Sequence, residues 1–325
     1  MAAPMDGKAL AAEVREQLTS EVQRLVGGGT VPTLHVILVG ARSDAKAYMQ
    51  PLQKLCRVVG VTAASTELHD NCSEAELLAA VAAANADPTV HGVLLQVPLP
   101  KHMDEHAVLA SIAPAKDVDC VHPISFGRLA MRGHEPAAPP SVAAGCIALL
   151  ERSGVDLEGK KATVIGRSNM VGMPCAVMLQ QRGATVTVCH SDTPTGDTKA
   201  ATLNADVVIA AVGSPGFVKA SWIKSGAAVC DVGLTTIEDK AAPNGYRVIG
   251  DCEDAVKEVA GLLTPVPGGV AALTVAMMLR NVVGLAKASA MASLAEAVEA
   301  SIPDPSAVPA PVAEATDEPP PAVEE

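Results

Sequence analysis

The stretch over residues 160–179 limits most strongly what this chain can fold into. Residues 162–165 form a short apolar run with β-branched side chains that ends at Gly166, and the apolar spacing after Pro174 is helical. A strand, a glycine turn and a helix in this order begin the nucleotide-binding units of parallel sheets, because N–H groups at the helix start can hold a pyrophosphate. The glycines do not follow the common G-x-G-x-x-G spacing, so an ordinary tight turn is an equally good interpretation of this stretch alone.

The strand patterns that follow extend this unit into a sheet. Apolar runs lie at residues 184–189, 206–212 and 227–232, and a glycine closes each of the last two. The segments between them are long enough for the crossover connections that parallel strands require. Four strands connected in this way predict a doubly wound parallel sheet and hence an α/β fold.

The end of the second strand indicates which cofactor such a sheet would bind. Sites for NAD place an acidic residue there to accept a hydrogen bond from the ribose 2′-OH, whereas a nearby Arg suits a 2′-phosphate. Here the strand ends in His190-Ser191, and Arg167 lies in the glycine turn. Arg167 supplies a cation and Ser191 a hydroxyl group, so the sequence predicts NADP rather than NAD.

Composition and charge limit the class of protein. The chain has 325 residues, of which 49% are hydrophobic and 18% charged, enough for two domains with buried cores. Its formal charge of −12 disfavours nucleic acid as a partner.

The eight cysteines form neither a C-x-x-C motif nor a disulfide framework, which indicates an intracellular protein. We expect it in the cytoplasm rather than in a mitochondrion. We find no signal peptide, no membrane span and no spacing typical of metal ligands. We therefore expect a protein that is not secreted, does not cross a membrane and binds no metal.

The rest of the chain predicts a second α/β unit and a tail. Helical patterns lie at residues 6–25, 77–84, 144–152 and 271–285, and strand patterns lie at 34–39 and 92–97. Beyond residue 299 the chain consists mainly of Pro, Ala and Glu, with seven prolines in the last 25 residues. We expect this tail to be disordered, because it cannot bury enough apolar area to offset the entropy of ordering.

Several motifs together resemble those of one enzyme family. In chain order they are VGARSDAKAY at 39–48, GVLLQVPLPKH at 92–102, KDVDCVHP at 116–123, GKKATVIGRSNMVG at 159–172, TVTVCHS at 185–191 and PGGV at 267–270. In these stretches the chain resembles the bifunctional 5,10-methylenetetrahydrofolate dehydrogenase/5,10-methenyltetrahydrofolate cyclohydrolases. The match extends over residues 5 to about 290.

The resemblance implies a two-domain enzyme. Residues 1–145 and 275–300 would form an α/β catalytic domain for folate, a Rossmann-like NADP domain over 146–274 would be inserted in it, and 301–325 would be the disordered tail. The family is homodimeric. It oxidises 5,10-methylenetetrahydrofolate with NADP and hydrolyses the methenyl product to 10-formyltetrahydrofolate.

The resemblance also implies roles for individual residues. On the folate side, Tyr48 would pack along the substrate, Gln96 would orient the catalytic lysine, and Asp119 would hold the pterin ring, with Pro267, Gly268 and Gly269 lining the cleft. On the cofactor side, Gly166, Arg167, Ser168 and Ser191 match phosphate-binding positions, and Leu234 matches the residue beside the nicotinamide. A carboxylate such as Asp119 can accept two parallel hydrogen bonds from a pterin. From the sequence alone, capping of a turn or helix is the favoured interpretation of Asp117 and Asp119.

The motif around Tyr48 departs from the family's pattern. The family has Tyr-Val-x-x-Lys, with a catalytic lysine, whereas this chain has Tyr48-Met-Gln-Pro-Leu52. Leu52 has neither a proton nor a charge to contribute, and Lys54, about 200° further round a helix, would point to the opposite face. Pro51 inside a helix would delete one backbone hydrogen bond, so we expect either a helix that starts later or a re-aimed Tyr48.

Other changes also fall on the folate side. Residues 140–143 are Pro-Ser-Val-Ala where the family has Pro-Cys-Thr-Pro, and Ala271 and Ala272 replace a glycine and a proline. Three functions therefore stay open. The chain is a dehydrogenase with an impaired cyclohydrolase step, a catalytically silent family member that binds NADP and acts as a structural or regulatory partner, or a dehydrogenase for another small substrate.

Overall fold

The computed structural model describes residues 1–40, 43–239, 241 and 245–301. The predicted tail, apart from Ser301, lies outside these residues. In chain order the elements are β1 Ala3–Pro4, α1 Gly7–Gly27, β2 Thr33–Val39, α2 Ser43–Val59, β3 Thr62–Leu68, α3 Glu74–Ala86, β4 Gly92–Leu95, α4 Glu105–Leu109, α5 Pro123–Ala130, α6 Ser141–Arg152, β5 Lys161–Ile165, α7 Gly172–Gln181, β6 Thr185–Cys189, α8 Thr195–Leu203, β7 Val207–Ala210, β8 Ala228–Asp231, β9 Thr235–Glu238, β10 Tyr246–Ile249, β11 Leu262–Leu263 and α9 Val270–Ser301. Every helix and strand predicted from periodicity is present, and the ends are shifted by a few residues except at α9, which extends to Ser301.

The structure contains two separate parallel sheets, and this confirms the predicted two-domain α/β fold. One sheet has the strand order β3-β2-β4, and the other has the order β1-β11-β8-β7-β5-β6. All pairings in both sheets are parallel, while β9 and β10 form a separate antiparallel hairpin. The two-residue strand β1 pairs with β11, so the start of the chain joins the larger sheet, which the sequence did not predict.

The strand order of the larger sheet creates a crevice at one edge. β5 pairs with β6 on one side and with β7 on the other, so the direction of winding reverses at β5. Ile165, the last residue of β5, lies level with Cys189 of β6 and Ala210 of β7. Ligands of doubly wound sheets bind outside the carboxyl ends of the strands at such a reversal. The fold therefore places the turn that begins at Gly166 where a nucleotide would bind.

Helix α9, the last described helix of the chain, packs against the first helix, α1. It also packs against α6 and contacts β2 and β4. Its segment Val270–Glu296 is long and apolar enough to cross a membrane by length and composition, but 61% of the apolar window is buried inside the protein. The helix is longer than the predicted 271–285. Its buried apolar residues up to Leu285 form core between α1 and α6, whereas residues 287–296 are mostly exposed.

Gly284 lies exposed in the middle of α9, and an added Cβ there would meet no atom within 4 Å. Glycine in a helix interior costs about 0.5–1 kcal/mol relative to alanine, because its backbone loses more freedom on folding. We therefore expect Gly284→Ala to raise the free energy of unfolding by about that amount. Urea denaturation followed by circular dichroism measures this, and a decrease in stability would contradict the packing of α9 described above.

Candidate functional site

The turn after β5 leaves no room for side chains. Gly166 has φ of 125°, and a Cβ on it would overlap the carbonyl oxygen of Ala211. A Cβ on Gly172, the first residue of α7, would overlap the carbonyl oxygen of Gly166. The two glycines therefore let the strand, the turn and the helix approach each other closely, which is the geometry that dinucleotide-binding turns require.

Ser168 lies at the start of α7. Its Oγ accepts hydrogen bonds from the N–H groups of Val171 at 3.1 Å and Gly172 at 3.3 Å. The hydroxyl hydrogen is then directed away from the helix and can donate to an anion. With the positive end of the helix dipole behind it, this turn fits a phosphate group.

The predicted 2′-phosphate site contains a carboxylate that the sequence analysis passed over. Nη2 of Arg167 lies 2.6 Å from Oδ2 of Asp192, and Oγ of Ser191 donates to Oδ1 of Asp192 at 3.3 Å. The hydrogen bond from Arg167 lowers the pKa of Asp192, and the positive charge of Arg167 adds to this effect. Asp192 is therefore ionised at neutral pH. Arg167 and Ser191 thus lie at the crevice, and both contact this acidic residue.

Two buried carboxylates hold the loops after β7 and β8. Asp231 accepts hydrogen bonds from the N–H groups of Gly233, Asp251 and Cys252 at 2.8–3.0 Å. Burial raises the pKa of Asp231, with a smaller contribution from the charge of Asp251. Oδ2 of Asp251 accepts from Val212 and Gly213, while its Oδ1 has no hydrogen-bond partner among the described residues.

Leu234 follows the loop held by Asp231. It lies at the carboxyl edge of the sheet with 57% of its surface exposed, so an apolar side chain is presented at the predicted nicotinamide position. Both Leu234 and the glycine turn follow carboxyl ends of strands in the same sheet. The structure thus brings the predicted cofactor residues to one edge of that sheet.

The two candidate folate carboxylates have different surroundings. Asp117 is 1% exposed and accepts hydrogen bonds from the N–H groups of Val121 at 3.0 Å and His122 at 2.9 Å. It therefore holds the loop, as the turn-capping interpretation predicts. Cys120 within this loop has φ of 58°, a conformation that non-glycine residues rarely adopt and that concentrates at functional sites. Within the described part of the chain, the hydrogen bonds of Asp119 go to Ser141 and not to its own loop.

Asp119 instead belongs to a polar cluster that joins three elements. Its Oδ1 accepts from the hydroxyl of Ser141 at 2.6 Å, and Nδ2 of Asn281 lies 3.4 Å from that hydroxyl. Nδ2 of Asn281 also donates to the carbonyls of Val118 and Pro139 at 2.9 and 2.7 Å. Burial raises the pKa of Asp119, and the hydrogen bonds from Ser141 oppose this shift.

Helix α2 settles one of the alternatives left open by the sequence. The helix begins at Ser43 and continues through Pro51 to Val59, so the expectation of a later start is wrong. Leu52 is 0% exposed and packs in the apolar core, whereas Lys54 is exposed, as the helical rotation predicts. The side chain of Tyr48 lies outside the described part of the chain.

Gln96 and the loop at 267–269 complete the folate side. Gln96 directly follows β4, donates its N–H to the carbonyl of Ile37 at 2.9 Å and is half-buried. The carbonyl of Gly268 accepts from the N–H of Lys8 at 3.1 Å, and the N–H of Gly269 donates to Pro265 at 2.8 Å. The loop is therefore attached to the first turn of α1 and leads directly into α9.

Sequence reasoning assigned no role to five polar residues around these sites, namely Ser141, Asp192, Asp231, Asp251 and Asn281. A signal existed for Asn281, because a lone amide in an apolar helical stretch needs buried partners. Asp192 follows the predicted His190-Ser191 pair directly and could have been considered.

Comparison with known proteins supports the same reading. The profile of the tetrahydrofolate dehydrogenase/cyclohydrolase catalytic domain matches residues 5–119, and that of the NAD(P)-binding domain of the same family matches residues 140–290. The bifunctional protein FolD 4, chloroplastic, of Arabidopsis thaliana is 47% identical over 285 residues, which cover 87% of this chain and 79% of the relative. The bifunctional protein FolD of Geotalea uraniireducens is 44% identical over 288 residues, covering 88% and 99%.

A solved structure extends the comparison to the fold. The Trypanosoma brucei methylenetetrahydrofolate dehydrogenase-cyclohydrolase, solved with NADP cofactor and an inhibitor, is 39% identical and superposes with a TM-score of 0.85 over 89% of this chain and 98% of its own. The cofactor domain, the glycine turn and the parallel sheets described above fit NADP as the cofactor. Both halves of the chain are thus matched, and the chain belongs to the tetrahydrofolate dehydrogenase/cyclohydrolase family.

Proposed function

We propose that this enzyme retains the dehydrogenase step, the oxidation of 5,10-methylenetetrahydrofolate, and that its cyclohydrolase step is impaired. The observation that carries the proposal is the contrast between the two sides of the site. The cofactor turn has its close-packed glycines, its hydroxyl and its cation, whereas the position of the family's lysine holds a fully buried leucine, Leu52.

On the folate side, we assign Asp119 to the pterin ring. A half-buried carboxylate braced by Ser141 can accept hydrogen bonds from the amino group and a ring N–H of a pterin, and charged acceptors make the stronger bonds. The loop held by Asp117 keeps Asp119 in position before substrate arrives. Gln96, at the end of β4, and the side chain of Tyr48 would line the same cleft, with the loop at 267–269 beside them.

On the cofactor side, the turn at 166–172 would bind the phosphates and Leu234 would pack against the nicotinamide. When bound, NADP accepts the hydride that leaves the methylene carbon of the folate. The chain's own residues then contribute orientation and exclusion of water, and this step requires no general base from the protein.

The hydrolytic step has different requirements. Water attacks the methenyl carbon, and a proton must be moved as the carbon–oxygen bond forms, so an acid–base group accelerates the step. Leu52 cannot transfer a proton, and Lys54 lies on the exposed face of α2. Methenyltetrahydrofolate would therefore leave the enzyme as a major product.

A catalytically silent enzyme is the second candidate. The buried Leu52 and the substitutions Ala271 and Ala272 at the start of α9 favour it, because they alter one side of the folate cleft. In this reading the chain binds NADP and acts through a partner.

We further infer that the protein is a homodimer, as the family resemblance implies, and that it works in the cytoplasm. All eight cysteines are free thiols, and seven of them are buried, which fits a reducing compartment. Light scattering and fractionation test these two inferences.

Formation of NADPH from 5,10-methylenetetrahydrofolate, followed by absorbance with the purified protein, tests the proposed dehydrogenase. We expect turnover in the unmodified protein and a drop in kcat/KM of about 10- to 100-fold in Asp119→Asn, the size of a lost hydrogen bond to a charged group. Asp104→Asn is the control, because it makes the same chemical change at the exposed N-cap of α4, where Asn and Asp are equivalent. Binding of NADP without any turnover would instead support the silent enzyme.

A further inference from the structure

Asp192 occupies the donors that a 2′-phosphate would use. Arg167 and Ser191 are the two side chains assigned to that phosphate, and both contact the Asp192 carboxylate, one oxygen each. All three side chains are at the surface of the crevice. A 2′-phosphate could therefore bind Arg167 only by displacing this carboxylate.

The carboxylate cannot move far when it is displaced. The N–H of Asp192 donates to Nδ1 of His190 at 3.2 Å, and the N–H of His190 donates to Oγ1 of Thr193 at 3.0 Å. The N–H of Thr193 returns to the carbonyl of His190 at 2.9 Å. These bonds fix the backbone of the turn after β6, so only the side-chain torsions of Asp192 remain free. An ionised carboxylate then stays close to any phosphate bound at Arg167.

The same carboxylate suits the other dinucleotide. An acidic side chain at the end of the second strand accepts hydrogen bonds from a ribose 2′-OH, which is how many sites hold NAD. Arg167, held by Asp192, can then remain in its ion pair while NAD is bound. The 2′-OH of NAD would thus gain a hydrogen-bond acceptor in Asp192, whereas the 2′-phosphate of NADP would be repelled by the same negative charge.

We propose that Asp192 is a specificity-determining residue of the cofactor site. Its carboxylate weakens binding of the 2′-phosphate of NADP and so reduces the preference of the enzyme for NADP over NAD. This proposal rests on the assignment of Arg167 and Ser191 to the cofactor. NADP remains the cofactor, but the enzyme tolerates NAD more than the Arg167 and Ser191 pattern alone indicates.

The test measures Kd for NADP and for NAD by calorimetry in Asp192→Asn, with no need for turnover. Asn keeps the size of the side chain and removes the charge. We expect NADP to bind about 5- to 30-fold more tightly, the effect of removing a like charge about 4 Å from a phosphate in water-like surroundings. Binding of NAD should change by less than about 3-fold or weaken, and the gain for NADP should shrink at high salt because exposed charges are screened.

Glu151→Gln is the matched control. Glu151 forms a similar exposed ion pair with Arg182 at 2.9 Å, on α6 and just after α7, away from the carboxyl edge of the sheet. The Glu151→Gln variant should leave the Kd values for NADP and NAD unchanged. Asp192 and Glu151 are both at the surface, so both variants are expected to melt like the parent.

Arg167→Ala tests the assignment of the 2′-phosphate site separately from the role of Asp192. If it weakens NADP far more than NAD while Asp192→Asn leaves the ratio of the two Kd values unchanged, the cofactor assignment stands and the role of Asp192 is overturned. If Arg167→Ala weakens both cofactors equally, the assignment of the 2′-phosphate site fails, and the proposal for Asp192 fails with it.

Discussion

Cyclohydrolase turnover of the unmodified protein should lie about 10²- to 10⁴-fold below that of a relative with lysine at the position of Leu52, the usual contribution of a general acid–base group. The reason is structural as well as chemical. Leu52 is 0% exposed and belongs to the same apolar core as Met49 and Cys56, so the side chain at position 52 can donate no proton and is closed to solvent. Hydrolysis of methenyltetrahydrofolate, followed by the loss of its absorbance, measures the effect directly.

Restoring the lysine alone should recover little of this activity. An amine at position 52 would be desolvated where a leucine now packs, which lowers its pKa and destabilises the fold. Pro51 also removes a backbone hydrogen bond from the same turn of α2. We therefore expect Leu52→Lys to stay near background, whereas a variant that adds Pro51→Ala, Ala271→Gly and Ala272→Pro should gain more.

Leu52→Met is the control for packing, because it changes shape with little change in volume and brings no amine. It should leave both half-reactions at the parent level. Hydrolysis by the unmodified protein at the rate of lysine-containing relatives would refute the proposal and would mean that another group transfers the proton.

Gly172→Ala should weaken NADP binding by about 10- to 100-fold for each charge-assisted hydrogen bond to phosphate that is lost. The added methyl group would overlap the carbonyl of Gly166, so either the turn or the first residues of α7 must shift. The Ser168 hydroxyl, which is held by the N–H of Gly172, shifts with them. We also expect a loss of about 1–3 kcal/mol in the free energy of unfolding, as for other overpacked sites.

Gly127→Ala distinguishes this effect from the general consequence of replacing a helical glycine. Gly127 lies inside α5, and a Cβ there would meet no atom within 4 Å. The control should bind NADP like the parent and be equally or slightly more stable. Calorimetric titration together with thermal melting measures both quantities, and unchanged NADP affinity in Gly172→Ala would show that the phosphates do not bind at this turn.

The sequence by itself determined the elements and the position of the cofactor turn. Period-two and period-3.6 patterns record which face of each segment is buried, so the strands at 162–165 and 206–212 and the helix at 6–25 were predicted correctly. Glycine at 166 and 172 signalled a close approach because only a residue without Cβ fits there. The parallel sheet followed from the spacing of the strands.

Only the tertiary structure decided what individual polar residues do. Asp117 and Asp119 have the same sequence context, yet one holds its own loop and the other meets Ser141, since their side chains leave the loop in different directions. Asn281 reaches Val118 from 163 residues away, and Asp192 reaches Arg167 from the next strand. Local patterns report burial and backbone preference, whereas the partner of a buried or charged side chain depends on which distant segments the fold brings together. The role of each carboxylate was therefore set by those contacts.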